Sequence, residues 1–107
     1  MGYHVNPRGI LYGKDDGGID LIAKRGNETL IIQCKYWGRG KVIYENVVTQ
    51  LEGSCRVYCL KHQHEGEQIS PVLITNITLD HVAKQTAQLL DISYKERYFM
   101  ADYPLVN

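Results

Sequence analysis

Two apolar segments separated by a Gly-Asn pair constrain the fold of this chain more than any other feature. Residues 19–23 and residues 29–36 are rich in isoleucine and leucine, and the pair at residues 26–27 stands between them. A Gly-Asn pair between two apolar runs is typical of the turn of a β-hairpin. The uninterrupted run Leu-Ile-Ile at residues 30–32 indicates a strand that is buried on both faces at the centre of a sheet.

Helical and strand patterns alternate in the rest of the chain. A helix is predicted from apolar residues that recur at three- and four-residue steps, namely Ile43, Val47, Val48, Leu51, Cys55 and Tyr58. A strand is predicted at residues 71–75. A second helix should follow it, with Thr78 as N-cap and an inner face formed by Leu79, Val82, Ala83, Thr86, Ala87 and Leu90.

Strands at residues 3–5 and 97–101 complete the predicted order β-β-β-α-β-α-β. This order favours an α/β protein with a central mixed sheet of about five strands flanked by helices. The length of 107 residues allows one domain, comprising residues 1–107.

The charge balance excludes one class of nucleic-acid-binding protein. Twelve Lys and Arg residues match twelve Asp and Glu residues, so the chain cannot bind DNA through bulk positive charge. A local basic patch is still allowed. The longest apolar runs are far shorter than the roughly 20 residues that cross a bilayer, and no signal sequence is evident. We therefore expect a soluble cytoplasmic domain without a membrane partner.

The three cysteines point to the same compartment. Cys34, Cys55 and Cys59 form no CxxC pair, and an odd number of reduced thiols suits the cytoplasm. Cys55 and Cys59 with His62 and His64 could be read as a zinc site. Their spacing fits none of the usual zinc patterns, which favours buried thiols beside a polar loop.

Three polar residues interrupt the apolar strands. Asp20 lies in the first strand of the predicted hairpin, and Gln33 and Lys35 share one face of the second strand because alternate residues of a strand point the same way. Burying such groups costs several kcal/mol unless they are paired or bound. The carboxylate oxygen of Asp20 and the amide oxygen of Gln33, together with an intervening main-chain carbonyl, could bind Mg²⁺ and support phosphodiester hydrolysis. The alternative is an Asp20–Lys35 ion pair that has no function beyond satisfying both charges.

The segment from residue 35 to residue 41 carries cations and aromatic rings without an acidic residue. Tyr36, Trp37, Arg39 and Lys41 are candidate DNA-binding residues, since the segment leads directly into a predicted helix N-terminus. The basic surface could be extended by Arg8, Lys14, Lys24 and Arg25. The alternative is that Trp37 anchors the loop and the cations only solvate the surface.

The strings DGGIDLIA at residues 16–23 and LIIQCKYW at residues 30–37 resemble the Mrr-like restriction endonucleases of the PD-(D/E)xK nuclease superfamily. The resemblance implies a restriction-endonuclease-like core and cleavage of double-stranded DNA with Mg²⁺ or Mn²⁺. It also implies that Asp20 binds the metal, that Gln33 occupies the second ligand position, that the main-chain carbonyl of Cys34 is a further ligand, and that Lys35 is the catalytic lysine. Asp16 could add charge or serve only as a turn residue.

Members of this family carry a helix before the first strand, often with a glutamate that helps to hold the metal. This chain begins after that position, so we expect it to be cut from a longer protein. The absence of the helix should expose an apolar sheet face lined by residues 3–5 and 19–23. Such a face tends to be covered by a second copy, which predicts a homodimer.

Two other function classes fit parts of the pattern. A nuclease-fold module that has lost catalysis could serve DNA binding or assembly, but it would not need Asp20, Gln33 and Lys35 together. An RNA-binding α/β domain would need aromatic residues interleaved on its strands, which this sequence lacks.

Overall fold

The computed structural model describes residues 4–7, 21–38, 40–62 and 65–98, and for residues 4–7 it describes the backbone alone. The elements in chain order are β1 (His4–Pro7), β2 (Leu21–Arg25), β3 (Glu28–Lys35), β4 (Val42–Ile43), α1 (Glu45–His62), β5 (Gln68–Thr75), β6 (Thr78–Leu79), α2 (His81–Leu89) and β7 (Ser93–Lys95). Within this described part, five strands form a mixed sheet in the order β1-β2-β3-β5-β7, and β4 pairs with β6. The predicted α/β architecture with a mixed sheet of about five strands is confirmed.

The predicted hairpin is formed by β2 and β3. The strands are antiparallel, with Leu21 opposite Ile32 and Arg25 opposite Glu28. Gly26 in the turn has a φ of +59°. Glycine reaches this left-handed conformation without the steric cost that a Cβ atom would add.

The central strand β3 pairs on its other side with β5, which runs parallel to it. Gln33 lies opposite Leu73 and Lys35 opposite Thr75 in this pairing. Strand β7 is in turn parallel to β5. Parallel strands end at the same edge of a sheet, so the carboxyl ends of β3, β5 and β7 meet at one edge.

Both faces of the sheet are buried. On one face, Ile22 and Ile31 pack against Cys55 and Tyr58 of α1. Further along that face, Leu73 packs into a cluster with residues of both helices, among them Val47, Val48, Leu51, Ala83 and Ala87. The core positions predicted for α1 between Val47 and Tyr58 are thereby confirmed.

The opposite face contradicts one expectation. Leu21 is 9% exposed and Ala23 is fully buried, and both belong to a cluster with Ile32 and Ile74. The apolar face that we expected to be open at the β2 strand is therefore covered within the single chain.

Element boundaries differ from the prediction in the region before each helix. Ile43 lies in β4 rather than in the first helix, because it pairs with Leu79 of β6. Asp80, not Thr78, is the N-cap of α2, since its carboxylate accepts a hydrogen bond from the main-chain N–H of Ala83 at 2.8 Å. Val82, predicted to face inward, is 44% exposed.

The last strand among the described residues spans Ser93–Lys95, which lies before the predicted residues 97–101. Arg97 has a φ of +54°, which is incompatible with an extended strand, and residues 99–101 lie outside the described residues. The described helices include none that is both long enough and apolar enough to cross a membrane.

Candidate active site

The amide of Gln33 is buried near the carboxyl end of β3. Ile31, two residues before Gln33, packs against α1, whereas Ile32 belongs to the cluster on the opposite face. Because alternate residues of a strand point the same way, the side chain of Gln33 lies on the helix-covered face. Gln33 is 2% exposed. Its Oε1 atom is buried, and no donor in the described part of the chain lies within hydrogen-bond distance of it. A buried oxygen without a donor is costly and calls for an explanation.

Lys35 lies two residues further along β3, on the same face as Gln33. It is half-buried at the last position of the strand, opposite the buried residue Thr75 of β5. Period-2 alternation therefore places the amide of Gln33 and the ammonium of Lys35 on one face of the strand. The main-chain carbonyl of Cys34 lies between them in the chain.

Asp20 and Asp16 lie outside the described residues. Leu21, which follows Asp20 in the chain, pairs with Ile32, the residue before Gln33. The two roles considered for Asp20, as a metal ligand and as an ion-pair partner of Lys35, both remain predictions.

The segment after β3 is fastened to the end of β5 by a side chain. The Oδ1 atom of Asn76 accepts a hydrogen bond from the main-chain N–H of Trp37 at 3.0 Å, and its Nδ2 atom donates to the carbonyl of Trp37 at 2.9 Å. Sequence reasoning did not single out Asn76. No local signal marks it, because its partner is 39 residues away in the chain.

A cavity of about 310 Å³ lies beside this contact. It is lined by Tyr36, Trp37, Gly38 and Lys41. Trp37 is half-buried and packs against the core cluster between the sheet and the helices, as the loop-anchor interpretation expected, while Lys41 is exposed. Tyr36 is also half-buried and packs against the cluster on the opposite face of the sheet. A cavity lined by aromatic residues and an exposed cation can contact both a base or sugar and a phosphate. Arg39, the other predicted DNA-binding residue, lies outside the described residues.

The structure contradicts two predictions about the basic surface: that the Lys41 segment leads directly into a helix, and that Lys24 and Arg25 extend the surface. Strand β4 intervenes between Lys41 and α1, and Glu45 occupies the first turn of that helix, where its charge opposes an anion. Lys24 and Arg25 lie at the turn end of the hairpin, away from the carboxyl end of β3, and form ion pairs with Glu67 and Glu28 at 3.4 and 3.1 Å. Arg8 and Lys14 lie outside the described residues.

The cysteines of α1 belong to the core rather than to this site. Cys55 is 5% exposed and packs beneath the sheet. Burial, and after it the neighbouring thiol of Cys59, raises the pKa of Cys55 to about 12. No cluster of three metal-ligating side chains occurs within the described ranges, and His64 falls outside them.

Comparisons with known proteins identify the family of this chain and a solved structure with a similar fold. A family model named Mrr_cat, with the description restriction endonuclease, matches residues 1–93. No curated protein matches the chain. The crystal structure of a protein of unknown function, AF1548, is similar with a TM-score of 0.59 and 18% identity, over 89% of this chain and 50% of that one. This chain thus spans about half the length of that protein, and the likeness concerns the fold alone.

Proposed function

Since the chain belongs to the Mrr-type restriction endonuclease family, we propose that it is a metal-dependent endonuclease that hydrolyses phosphodiester bonds of double-stranded DNA. One observation carries the proposal. The buried Oε1 atom of Gln33 has no donor among the described residues and lies on the same strand face as Lys35.

The residues present suit a hard divalent ion. Mg²⁺ and Mn²⁺ prefer oxygen ligands, and a buried amide oxygen without a donor is available for such a bond. We propose that Asp20, Gln33 and the main-chain carbonyl of Cys34 would hold Mg²⁺ or Mn²⁺. Bound there, the ion would polarise a phosphoryl oxygen and lower the pKa of a water molecule.

Lys35 has a separate role in this proposal. Its ammonium lies at the end of β3, where the described part of the chain gives it no ion-pair partner. From this position it orients the attacking water or neutralises the charge that develops on the phosphate. Lysine suits this task as a compact point charge on a flexible stem.

Plasmid cleavage tests the proposal. With Mg²⁺ or Mn²⁺ the protein should cut duplex DNA, and Asp20→Ala and Lys35→Ala should each lower the rate ~100-fold or more. Lys24→Ala is the matched control, because Lys24 is already paired with Glu67 at the other end of the hairpin. Full activity in both site variants would remove the site assignment.

The DNA is proposed to follow the segment from Tyr36 to Lys41, including Trp37 and Arg39. The cavity that Tyr36, Trp37 and Lys41 line supports this path. Replacing Arg39 and Lys41 together by glutamine should reduce the slope of log affinity against log salt by about two, one for each lost phosphate contact. Lys61→Gln, a change at an exposed lysine in the last turn of α1, should leave the slope unchanged. An unchanged slope in the double variant would place the DNA elsewhere.

A DNA-binding or assembly module without catalysis is the second candidate. It predicts salt-dependent DNA binding in a protein that does not cut with either ion.

The main argument for the predicted homodimer does not hold, because Leu21 and Ala23 are buried within the single chain. A cytoplasmic location is proposed on the reduced state expected for Cys34, Cys55 and Cys59.

A further inference from the structure

The side chain of Asn76 replaces the main-chain pairing where the sheet ends. The parallel ladder of β3 and β5 stops at the pair Lys35 and Thr75. Beyond it, the amide of Asn76 binds both the N–H and the C=O of Trp37, at 3.0 and 2.9 Å. An amide side chain offers a donor and an acceptor at once, so it satisfies both polar groups of one peptide residue.

The two neighbours of Asn76 in the chain, Thr75 and Ile77, form hydrogen bonds that hold the backbone around it. The hydroxyl of Thr75 accepts a hydrogen bond from the N–H of Ile77 at 3.2 Å, and the carbonyl of Thr75 accepts one from the N–H of Tyr98 at 2.9 Å. The carbonyl of Ile77 accepts a further bond from Arg97 at 3.0 Å. Asn76 therefore fixes Trp37 relative to a hydrogen-bonded stretch of backbone at the end of β5.

We propose that Asn76 is a positioning residue for the nucleic-acid-binding cavity. By holding the backbone of Trp37, it fixes the position of this residue, which lines the cavity two residues after Lys35. Asn76 acts through Trp37 and does not itself contact the DNA. The inference rests on the proposed function, since it assumes that the cavity contacts DNA.

Fluorescence of the protein without DNA tests the positioning directly, because Trp37 is the single tryptophan of the chain. Asn76→Ala should shift the emission of Trp37 to longer wavelength and raise its quenching by acrylamide. Asn46→Ala, at an exposed asparagine in the first turn of α1, should do neither. Identical emission and quenching in wild type and in folded Asn76→Ala would overturn the proposal.

The variant Asn76→Asp keeps the size of the side chain and gives a second test. Its carboxylate still accepts from the N–H of Trp37 but repels the carbonyl that Asn76 Nδ2 binds. A protonated carboxyl regains a donor, so the excess quenching should diminish as the pH falls toward the carboxyl pKa, ordinarily about 4. Quenching independent of pH, or equal to that of wild type at neutral pH, would contradict the positioning role even if Asn76→Ala does not fold.

Binding of a labelled 20-base-pair duplex in EDTA then tests the link to DNA. Asn76→Ala should bind about tenfold more weakly than wild type, while Asn46→Ala should bind as wild type does. If wild type binds no duplex, the proposed function fails, and the quenching comparison still decides whether Asn76 positions Trp37. If wild type binds and Asn76→Ala binds equally well, only the inference about Asn76 fails.

Discussion

The side-chain oxygen of Gln33 is a buried polar atom that accepts no hydrogen bond from the described residues. Gln33 is 2% exposed, and its Oε1 has no donor among the described residues. On the same face of the same strand, Thr29 is equally buried but donates its hydroxyl to Glu67 at 2.6 Å. Two buried polar residues on one strand thus differ in whether their hydrogen bonds are satisfied.

This difference predicts opposite effects of apolar substitution. Without divalent ions, Gln33→Met should raise the free energy of unfolding by about 1 kcal/mol, because it removes an unsatisfied buried oxygen at similar volume. Thr29→Val should lower the free energy by about 1 kcal/mol or more, because it leaves the carboxylate of Glu67 without that donor. Urea unfolding in EDTA measures both values. A loss of stability in Gln33→Met as large as that in Thr29→Val would mean that Gln33 is satisfied in the folded protein.

The buried thiol of Cys55 predicts a pH dependence. Its folded pKa of about 12 lies above its ordinary value of 9.0, so the folded state keeps a proton that the unfolded chain releases. The stabilising contribution is complete below pH 9 and is lost as the pH rises toward 12, with a slope of at most ~1.4 kcal/mol per pH unit.

Urea unfolding at several pH values above 8 checks this contribution. Cys55→Ala should flatten the decline of stability above pH 9 relative to wild type. Val48→Ala, another large-to-small change in the core of α1, should lower stability by the same amount at every pH. An unchanged slope in Cys55→Ala would show that the thiol titrates normally.

At the scale of the element, the start of α2 is set by Asp80. The carboxylate accepts the hydrogen bond of the Ala83 N–H, which is otherwise unpaired in the first turn of a helix. Asp80→Ala should therefore lower the free energy of unfolding by about 1 kcal/mol. Thr78→Val should be nearly neutral, because Thr78 lies in β6 and a β-branched residue suits a strand. Thermal or urea unfolding distinguishes the two, and a larger loss in Thr78→Val would restore Thr78 as the cap.

The elements that the sequence predicts well are those with a local signal. The turn at residues 26–27 and the 3.6-residue period of α1 depend on neighbours in the chain, and both are found in the structure. The β4–β6 pair is different. It joins residues 42–43 to residues 78–79, and two-residue strands carry no period that could reveal them. The errors at Ile43 and Thr78 both follow from this one unseen pairing.

At the scale of the whole molecule, the order and direction of the strands decide which residues meet at the site. Gln33 and Lys35 could be predicted to share a face because strand alternation is local. Asn76 could not be predicted, because its contact with Trp37 depends on β5 lying parallel to β3 after an intervening helix. The family match over residues 1–93 agrees with the motifs around Gln33 and Lys35, whereas Asp20 lies outside the described residues.

The Mg²⁺ dependence of plasmid nicking by the protein tests the central claim most directly. Because Gln33 supplies a ligand oxygen in the proposed site, Gln33→Glu should keep a rate within about tenfold of wild type and reach it at a lower Mg²⁺ concentration. Gln33→Met, which offers no oxygen, should lose ~100-fold or more at any Mg²⁺ concentration while remaining folded. Nicking by Gln33→Met at the wild-type rate and with the wild-type Mg²⁺ dependence would contradict the claim that this buried oxygen serves the metal.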